Sequence, residues 1–268
     1  MSIGDIKILI KGGGDLGSAC AIKLFNSGFQ VFISELPSPM AIRRLVSFSS
    51  SISEKEITIE GVKAVFCENI ENTHETEKHI PVLTSAYKEI LENLKPEVIV
   101  DCTLKAIDNR STFINDAPFT VGLGNGFRAP GNISCVIETN RGHNLGKIIW
   151  DGETEPYTGT PGSIKGEGIT RLLRAPSDGV FKSLVRIGDS VLEGQLLGWT
   201  GTSELKAGIS GILRGIINDG ARVKSGMKIG DIDPRGQKEN AFTISDKARC
   251  IAGGVLEAVM IWYNRNHE

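Results

Sequence analysis

Apolar runs that end near glycine alternate with stretches of helical periodicity in the first half of the chain. The segment IKILI at residues 6–10 is apolar at four of its five positions, as expected of a strand buried on both faces. Apolar side chains then recur from Ala19 to Phe25 at helical spacing, and residues 26–28 form a stop signal. A second apolar run at 29–34 completes a predicted strand–helix–strand unit.

The same alternation continues to residue 150 and sets the predicted fold class. A helix is predicted over 39–48, a strand pair over 57–66 and a strong strand over 98–100. Strands that alternate with helices favour an α/β domain over residues 1–150, built on a Rossmann-like, doubly wound parallel sheet. Its ligand would lie beyond the carboxyl ends of the strands.

The second half of the chain contains an internal repeat. The segment beginning at Ala175 matches the segment beginning at Ala207, a shift of 207 − 175 = 32 residues, with glycines at equivalent places. Two tandem β units that cannot bury their apolar faces alone predict a small β-rich domain at 174–236. The pattern resembles the barrel-sandwich fold of biotinyl and lipoyl carriers. Lys206 lies too near the next strand to match a carrier lysine, so we expect a non-carrier relative.

Two flanking segments complete the predicted organisation. Residues 151–173 are rich in glycine and turn residues and are predicted to be a linker. Residues 237–268 are predicted to form a C-terminal helix that packs back on the first domain, with Ser245 and Asp246 as the candidate caps. Gly253 and Gly254 weaken a helix, so close packing against another element is expected there.

Composition narrows the classes of partner. The chain has 268 residues, is 40% hydrophobic and has a formal net charge of −2, which offers no electrostatic footprint for nucleic acid or an anionic membrane. Its five cysteines are scattered and form no CxxC pair, which favours a reducing cytoplasm. Neither an export signal nor a membrane span is indicated. The near-neutral charge favours small-molecule or protein partners, and the chain could form a homo-oligomer. No residues have metal-ligand spacing.

The glycine-rich segment GGGDLG is the main candidate for a binding site. Gly12, Gly14 and Gly17 form a G-x-G-x-x-G pattern between a predicted strand and helix, where backbone N–H groups would face a pyrophosphate. Glu35 follows the second strand, close to the position from which an acid reaches a ribose hydroxyl. The alternative is a tight turn that binds nothing. The predicted cofactor-binding residues are Gly12, Gly13, Gly14, Asp15, Leu16, Gly17, Glu35 and Asp101.

The cofactor suggested by this pattern is NAD rather than NADP. The carboxylate of Glu35 would repel a 2′-phosphate. Arg43 and Arg44 follow closely and could instead meet a phosphate, although surface charge is the commoner role of paired arginines.

Polar residues elsewhere in the first domain provide weaker candidates. Asp101, with Thr103 and Lys105 just after it, could form the far wall of a nucleotide crevice or could cap a loop. Arg141 and His143 lie in the polar cluster ETNRGH, where an arginine could hold an anion and a histidine could move a proton. A histidine without a visible carboxylate partner is more often structural.

Several segments together resemble a known family over nearly the whole chain. They are KGGGDLGSACAIKLFNSGFQVFISEL, GLGNGF, VIETNRGHNLG, TGTPG, RAPSDGVF, KIGDIDPRG and FTISDKARCIAGGVLEAV. They resemble the YqeB-type family of accessory proteins of selenium-dependent molybdenum hydroxylases, and the first domain is similar to XdhC-type maturation factors. The resemblance implies a molybdenum hydroxylase as partner and assigns no catalytic residue.

Three functional hypotheses follow from these observations. The first is an accessory or maturation protein that binds a nucleotide or nucleotide-bearing cofactor, either NAD(P) or a molybdopterin nucleotide. The second is an NAD(P)-dependent oxidoreductase that uses Arg141 and His143. The third is a scaffold whose glycines bind nothing. The sequence does not decide whether the protein is an enzyme.

Overall fold

The chain divides into two compact units that are not continuous in sequence. A computed structural model describes residues 2–73, 78–104, 111–156, 162 and 164–267. The first unit comprises Met1–Pro39, Ser47–Tyr157 and Ile244–Glu268, and the second comprises Met40–Val46 and Thr158–Thr243. Part of the predicted 151–173 linker lies outside the described residues.

The helices and strands of the described residues have the following bounds. The strands of the first unit are β1 (Lys7–Lys11), β2 (Gln30–Ser34), β3 (Glu56–Ile59), β4 (Val62–Cys67), β5 (Ile80–Leu83), β6 (Val98–Asp101), β7 (Phe119–Leu123), β8 (Cys135–Ile137) and β9 (Ile148–Ile149). Its helices are α1 (Asp15–Phe25), α2 (Ser51–Glu54), α3 (Tyr87–Leu94) and α4 (Asp246–Asn266). The strands of the second unit are β10 (Leu172–Arg174), β11 (Gly179–Ser183), β12 (Ser190–Val191), β13 (Leu196–Thr200), β14 (Ser203–Lys206), β15 (Gly211–Ile216), β16 (Arg222–Val223) and β17 (Lys228–Asp233). Short 3₁₀ turns are formed by Ile3–Asp5, Arg44–Val46, Phe48–Ser50, Ile70–Asn72, Ile169–Arg171 and Lys238–Ala241.

The sheet of the first unit is mixed, with the strand order β3-β4-β5-β2-β1-β6-β7-β8-β9. The seven strands from β4 to β8 in this order pair parallel with one another. The edge strands β3 and β9 pair antiparallel with β4 and β8. The predicted fold class, a Rossmann-like doubly wound parallel sheet, is therefore wrong.

At the β3 edge, the physical reason is the length of the connection between β3 and β4. The predicted strand pair over 57–66 is confirmed as β3 and β4, and only Glu60 and Gly61, both at positive φ, join them. So short a connection returns the chain beside the strand it has just left, which requires antiparallel pairing. Apolar periodicity identifies a strand but leaves the direction of its neighbour open.

Apolar side chains from the strands hold helices against the first sheet. Leu9 and Ile99 pack in one cluster with Ile90 and Leu94 of α3. Helix α1 begins at Asp15 and buries most of its residues, and it packs closely against α4. The start of α1 lies four positions after the end of β1, so the glycine turn is the whole connection between them.

The helix predicted over 39–48 does not form. Its residues instead make a turn and two short 3₁₀ segments, and Met40–Val46 belongs to the second unit. Ile42 and Leu45 pack against the core of that unit. Tertiary packing of these two side chains outweighs local helix propensity.

The internal repeat is confirmed by the strands of the second unit. Strands β11, β12 and β13 begin at residues 179, 190 and 196, and β15, β16 and β17 begin at 211, 222 and 228, each 32 residues later (211 − 179, 222 − 190, 228 − 196). Strand β11 pairs with β16, and β12 pairs with β15, so the two copies exchange strands.

The predicted biotinyl/lipoyl-like barrel-sandwich is nevertheless wrong as a fold class. The unit forms two four-stranded antiparallel sheets, β10-β17-β15-β12 and β14-β13-β11-β16. Residues outside the repeat complete it, namely β10 and the segment Met40–Val46 with its core contacts. A comparison of the two copies cannot detect residues that only one part of the chain supplies.

The N-terminal cap of α4 provides a first prediction. The Ser245 side chain accepts a hydrogen bond from the Ala248 N–H at 3.1 Å. Replacing Ser245 with alanine is expected to lower the free energy of unfolding by about 1 kcal/mol, because one N–H at the helix start loses its acceptor. Urea denaturation measures the change. Ser53→Ala is the control, since Ser53 caps no helix and its hydroxyl bonds the Ser50 carbonyl at an exposed site; an equal loss in both variants would contradict the cap.

Candidate functional site

The carboxyl ends of β1 and β6 lie side by side in the middle of the first sheet. From β1 the chain passes through α1 to β2 on one side, and β6 lies on the other side of β1. Such a reversal of strand order leaves a crevice at the carboxyl ends of parallel strands, where ligands bind in open sheets. The glycine turn at residues 12–14 and Asp101 both lie at this edge.

The glycine turn is closed by a tight approach between its two ends. A Cβ on Gly17 would overlap the carbonyl oxygen of Gly12 and would lie 3.4 Å from the Cβ of Cys102. Among the described residues, and apart from its two chain neighbours, a Cβ on Gly14 would meet no atom within 4 Å. Gly17 is therefore required for packing, whereas the side of the turn at Gly14 is open.

Two of the amides predicted to face a phosphate donate to carboxylates of the protein. The Gly13 N–H donates to Glu35 Oε2 at 2.8 Å, and the Leu36 N–H donates to Glu35 Oε1 at 2.7 Å. The Leu16 N–H donates to Asp15 Oδ1 at 3.0 Å. The predicted cradle is thus partly filled by Glu35 and Asp15, and its open part is the face of Gly14.

A buried ion pair lies at the same sheet edge. Lys11 and Asp101 are register partners on β1 and β6, with the Lys11 ammonium 3.7 Å from Asp101 Oδ2. The ammonium donates to Ser111 Oγ at 2.8 Å and to Thr112 Oγ1 at 2.7 Å. Sequence reasoning missed Lys11; the available signal was a lysine that ends a buried strand just before the glycine turn.

An aromatic ring covers the other side of the Lys11 ammonium. Its Nζ lies 4.0 Å from the centroid of the Tyr87 ring, a cation–π contact. The Tyr87 hydroxyl lies 3.2 Å from Asp116 Oδ2. Burial raises the pKa of Tyr87 well above its ordinary value, so its hydroxyl remains protonated at neutral pH.

The cysteine nearest to this edge is not activated. Burial is the largest cause that raises the pKa of the Cys102 thiol well above its ordinary value, followed by the neighbouring Cys20. A thiol that remains protonated is a weak nucleophile. Cys102 therefore contributes packing at the glycine turn.

Two polar side chains of the segment VIETNRGH form hydrogen bonds with neighbouring backbone groups. Glu138 is 2% exposed, and its carboxylate accepts N–H bonds from Thr139, Asn140 and Glu155, each at 2.7 Å. The Asn140 side chain donates to the carbonyls of Glu155 and Pro156. These bonds fix the chain where it enters residue 156, which is a structural role.

The two weak catalytic candidates are placed differently from each other. Arg141 donates from both terminal nitrogens to Asp246 at the start of α4, at 2.7 and 2.9 Å. His143 is exposed. The structure therefore explains Arg141 as a partner of Asp246, and a catalytic role for either residue stays a prediction.

The paired arginines that follow Glu35 in the sequence bind backbone carbonyls. Arg43 donates to the carbonyls of Asn240 and Thr243, and Arg44 donates to the carbonyl of Ile216, all within the second unit. Lys105 lies outside the described residues. Among the described residues, no group of three or more His, Cys, Asp or Glu side chains could hold a metal ion.

A cavity of about 770 Å³ lies at the opposite edge of the first sheet. Its lining includes Glu97 and Pro118, which directly precede β6 and β7, and Lys95 and Asp116. Ligands of open sheets bind at the carboxyl ends of parallel strands rather than at their beginnings. The glycine turn is therefore the better candidate for a ligand site, although this cavity is large enough to hold a small molecule.

One protein of known sequence is closely similar to this chain. The uncharacterized protein YqeB of Escherichia coli (strain K12) is 43% identical to it over 256 residues. The chain is a relative of YqeB. The match covers 95% of this chain and 47% of YqeB, so the chain spans about half the length of that relative. The predicted YqeB-type resemblance is confirmed, whereas the link to selenium-dependent hydroxylases and the similarity to XdhC-type factors stay predictions.

Several solved structures resemble the chain weakly, and no protein-family model matches it. They include the ectoine utilization protein EutE (DoeB) of Ruegeria pomeroyi in its product-bound form, with 13% identity and a TM-score of 0.26. An aspartoacylase family protein of Mesorhizobium loti has 11% identity and a TM-score of 0.26, and a succinylglutamate desuccinylase/aspartoacylase of Rhodobacter sphaeroides has 15% and 0.27. Each comparison covers 85% of this chain and 84% of the other.

The names of those proteins refer to activities or to the utilization of a compound. Their TM-scores are too low to assign the fold or the reaction of this chain, so the fold class of the first unit is corrected on strand direction alone.

Among the described residues, no helix combines the length and the apolar composition needed to cross a membrane.

Proposed function

We propose that this protein is an accessory protein that binds a nucleotide or a nucleotide-bearing cofactor at the turn between β1 and α1. The supporting observation is the open face of Gly14 at the start of α1, beside the carboxylate of Glu35. On this proposal, the diphosphate lies against Gly14 and the ribose lies at Glu35.

The start of α1 suits a phosphate group. Helix α1 has 11 residues, and its N-cap is Gly14, which has no side chain to accept a hydrogen bond from the first N–H groups. Unpaired N–H groups and the helix dipole favour an anion at such an end. The Asp15 carboxylate opposes this attraction, so the phosphate would approach from the Gly14 side.

Glu35 is suited to the ribose. Two backbone N–H groups hold its carboxylate in place, which leaves about two of its roughly four lone-pair sites for ribose hydroxyls. Its negative charge disfavours a 2′-phosphate. Arg43 and Arg44 donate to carbonyls of the second unit, so the proposal retains NAD rather than NADP among the nicotinamide nucleotides.

The biological setting is the second part of the proposal. Kinship with YqeB and the family resemblance support service to a selenium-dependent molybdenum hydroxylase, for which a molybdopterin nucleotide is an alternative ligand. A cytoplasmic location belongs to the same proposal and is supported by five free cysteines. Co-purification of a hydroxylase with the tagged protein is the expected result; its absence from repeated purifications would contradict the accessory role.

Replacing Gly14 with aspartate tests the nucleotide site. The new carboxylate would occupy the open face and repel a diphosphate, so we expect NAD to bind at least tenfold more weakly. Isothermal titration calorimetry measures the affinity. Gly168→Asp is the matched control, because it adds the same charge at a second glycine whose Cβ would meet no atom of the described residues within 4 Å, apart from its chain neighbours. Unchanged affinity in a folded Gly14→Asp protein would contradict the site.

A further inference from the structure

One oxygen of Asp101 is buried without a hydrogen-bond donor. Asp101 is 1% exposed, and among the described residues its Oδ2 has no hydrogen-bond partner. The ammonium of Lys11 lies 3.7 Å away, which is too far for a hydrogen bond. Proteins pair nearly all buried polar atoms, so this oxygen is one of a few exceptions among the described residues, and it retains the capacity to accept a hydrogen bond from an added donor.

The surrounding residues keep this oxygen in its unpaired position. Asp101 Oδ1 accepts the Thr103 N–H at 2.9 Å and the Thr103 hydroxyl at 2.6 Å, which fixes the plane of the carboxylate. Ser111 and Thr112 hold the Lys11 ammonium. Neither side chain can close the gap without losing bonds that it already makes.

The unpaired oxygen belongs to the same sheet edge as the glycine turn. Asp101 ends β6 next to the end of β1, and the Thr103 methyl group would lie 3.3 Å from a Cβ on Gly12. A carboxylate repels a phosphate and accepts hydrogen bonds. The ligand group that faces it must therefore be a donor, away from the phosphates.

We propose that Asp101 determines ligand specificity: its Oδ2 accepts a hydrogen bond from an amino or amide group on the ring system of the bound nucleotide. This inference rests on the proposed nucleotide-binding function. A site with a buried polar group rejects analogues that leave that group unpaired, so specificity for the donor is the measurable consequence.

Pairs of nucleotides that differ at one donor test the inference. NAD is compared with nicotinic acid adenine dinucleotide, which replaces the carboxamide with a carboxylate, and GDP is compared with IDP, which lacks the amino group. We expect the protein to bind the donor-bearing member of at least one pair at least tenfold more tightly. Equal binding within both pairs would overturn the role of Asp101 and leave the nucleotide site standing.

The variant Asp101→Asn should remove the preference. Because Thr103 presents two donors, the amide oxygen would take the Oδ1 position and the amide NH₂ would replace Oδ2. The site would then present a donor, and we expect the preference to fall below threefold. Asp116→Asn is the control that removes a charge from the same unit, and it should keep the preference.

Two further outcomes decide the inference. If Asp101→Asn does not fold, Thr103→Val releases one bond to Oδ1 without changing charge, and we expect it to reduce the preference at least threefold. An undiminished preference in that variant overturns the inference. Absence of binding by all four nucleotides overturns the proposed function and this inference together.

Discussion

Replacing Asp231 with alanine is expected to lower the free energy of unfolding by about 3–5 kcal/mol. In the second unit, the Asp231 carboxylate lies 3.1 Å from Arg171 and 4.0 Å from Arg214. The three residues are 4%, 8% and 7% exposed, respectively. Removal of the carboxylate takes away the nearest counter-charge of two buried guanidinium groups, whose Nε atoms have no hydrogen-bond partner among the described residues. Arg214 keeps a second electrostatic interaction with Asp233, whereas Arg171 loses the carboxylate that it contacts.

Urea denaturation of the full chain measures this change, with Glu204→Ala as the control. The ion pair of Glu204 with Lys206 is short, at 2.8 Å, but both side chains are more than half exposed. An exposed pair contributes about 0–1 kcal/mol, so the control should stay within that range. A loss below 1 kcal/mol for Asp231→Ala would contradict the view that its charge is required.

Replacing Gly254 with alanine is expected to cost about 3 kcal/mol, while the same change at Gly253 is expected to stabilise the protein. A Cβ on Gly254 would overlap the carbonyl oxygen of Gly146 and would lie 3.3 Å from Ile137 Cγ2. Backbone cannot yield as a flexible side chain does, so α4 must shift away from the loop it contacts. In the part of the chain that the structure describes, and apart from the adjoining backbone of α4, a Cβ on Gly253 meets no atom within 4 Å, and alanine improves helix propensity by about 0.5–1 kcal/mol.

The two variants form a matched pair, because they make the same chemical change at adjacent positions of α4. Thermal and urea unfolding of both should give shifts of opposite sign. Stabilisation by both variants would show that propensity, rather than contact with Gly146, decides the outcome. Destabilisation by both would contradict the open space at Gly253.

The sequence predicts local elements of this protein better than their partners. The strand at 98–100, the hairpin over 57–66 and the cap at Ser245 follow from apolar period and turn or cap chemistry, and all are confirmed. Strand direction at the sheet edges does not follow from these signals. It depends on how tightly the chain turns and on which neighbour is free to pair.

The candidate site shows the same division. The position of the glycine turn could be predicted from residues 12–17, and so could Glu35 beside it. The pairing of Lys11 with Asp101 could not, because it depends on strand register between distant parts of the chain. The hydrogen bond from the Gly13 N–H to Glu35 could not be predicted either, because it depends on how β2 is placed beside the glycine turn.

The assignment of Met40–Val46 to the second unit has a consequence for dissection of the protein. A fragment that starts at residue 158 would lack Ile42 and Leu45, and it would expose the apolar surface that they cover. A fragment that ends before that residue would leave the same seven-residue strip without its binding surface. Neither fragment contains a complete core, so truncation studies must keep the polypeptide whole or supply the segment Met40–Val46 as a separate peptide.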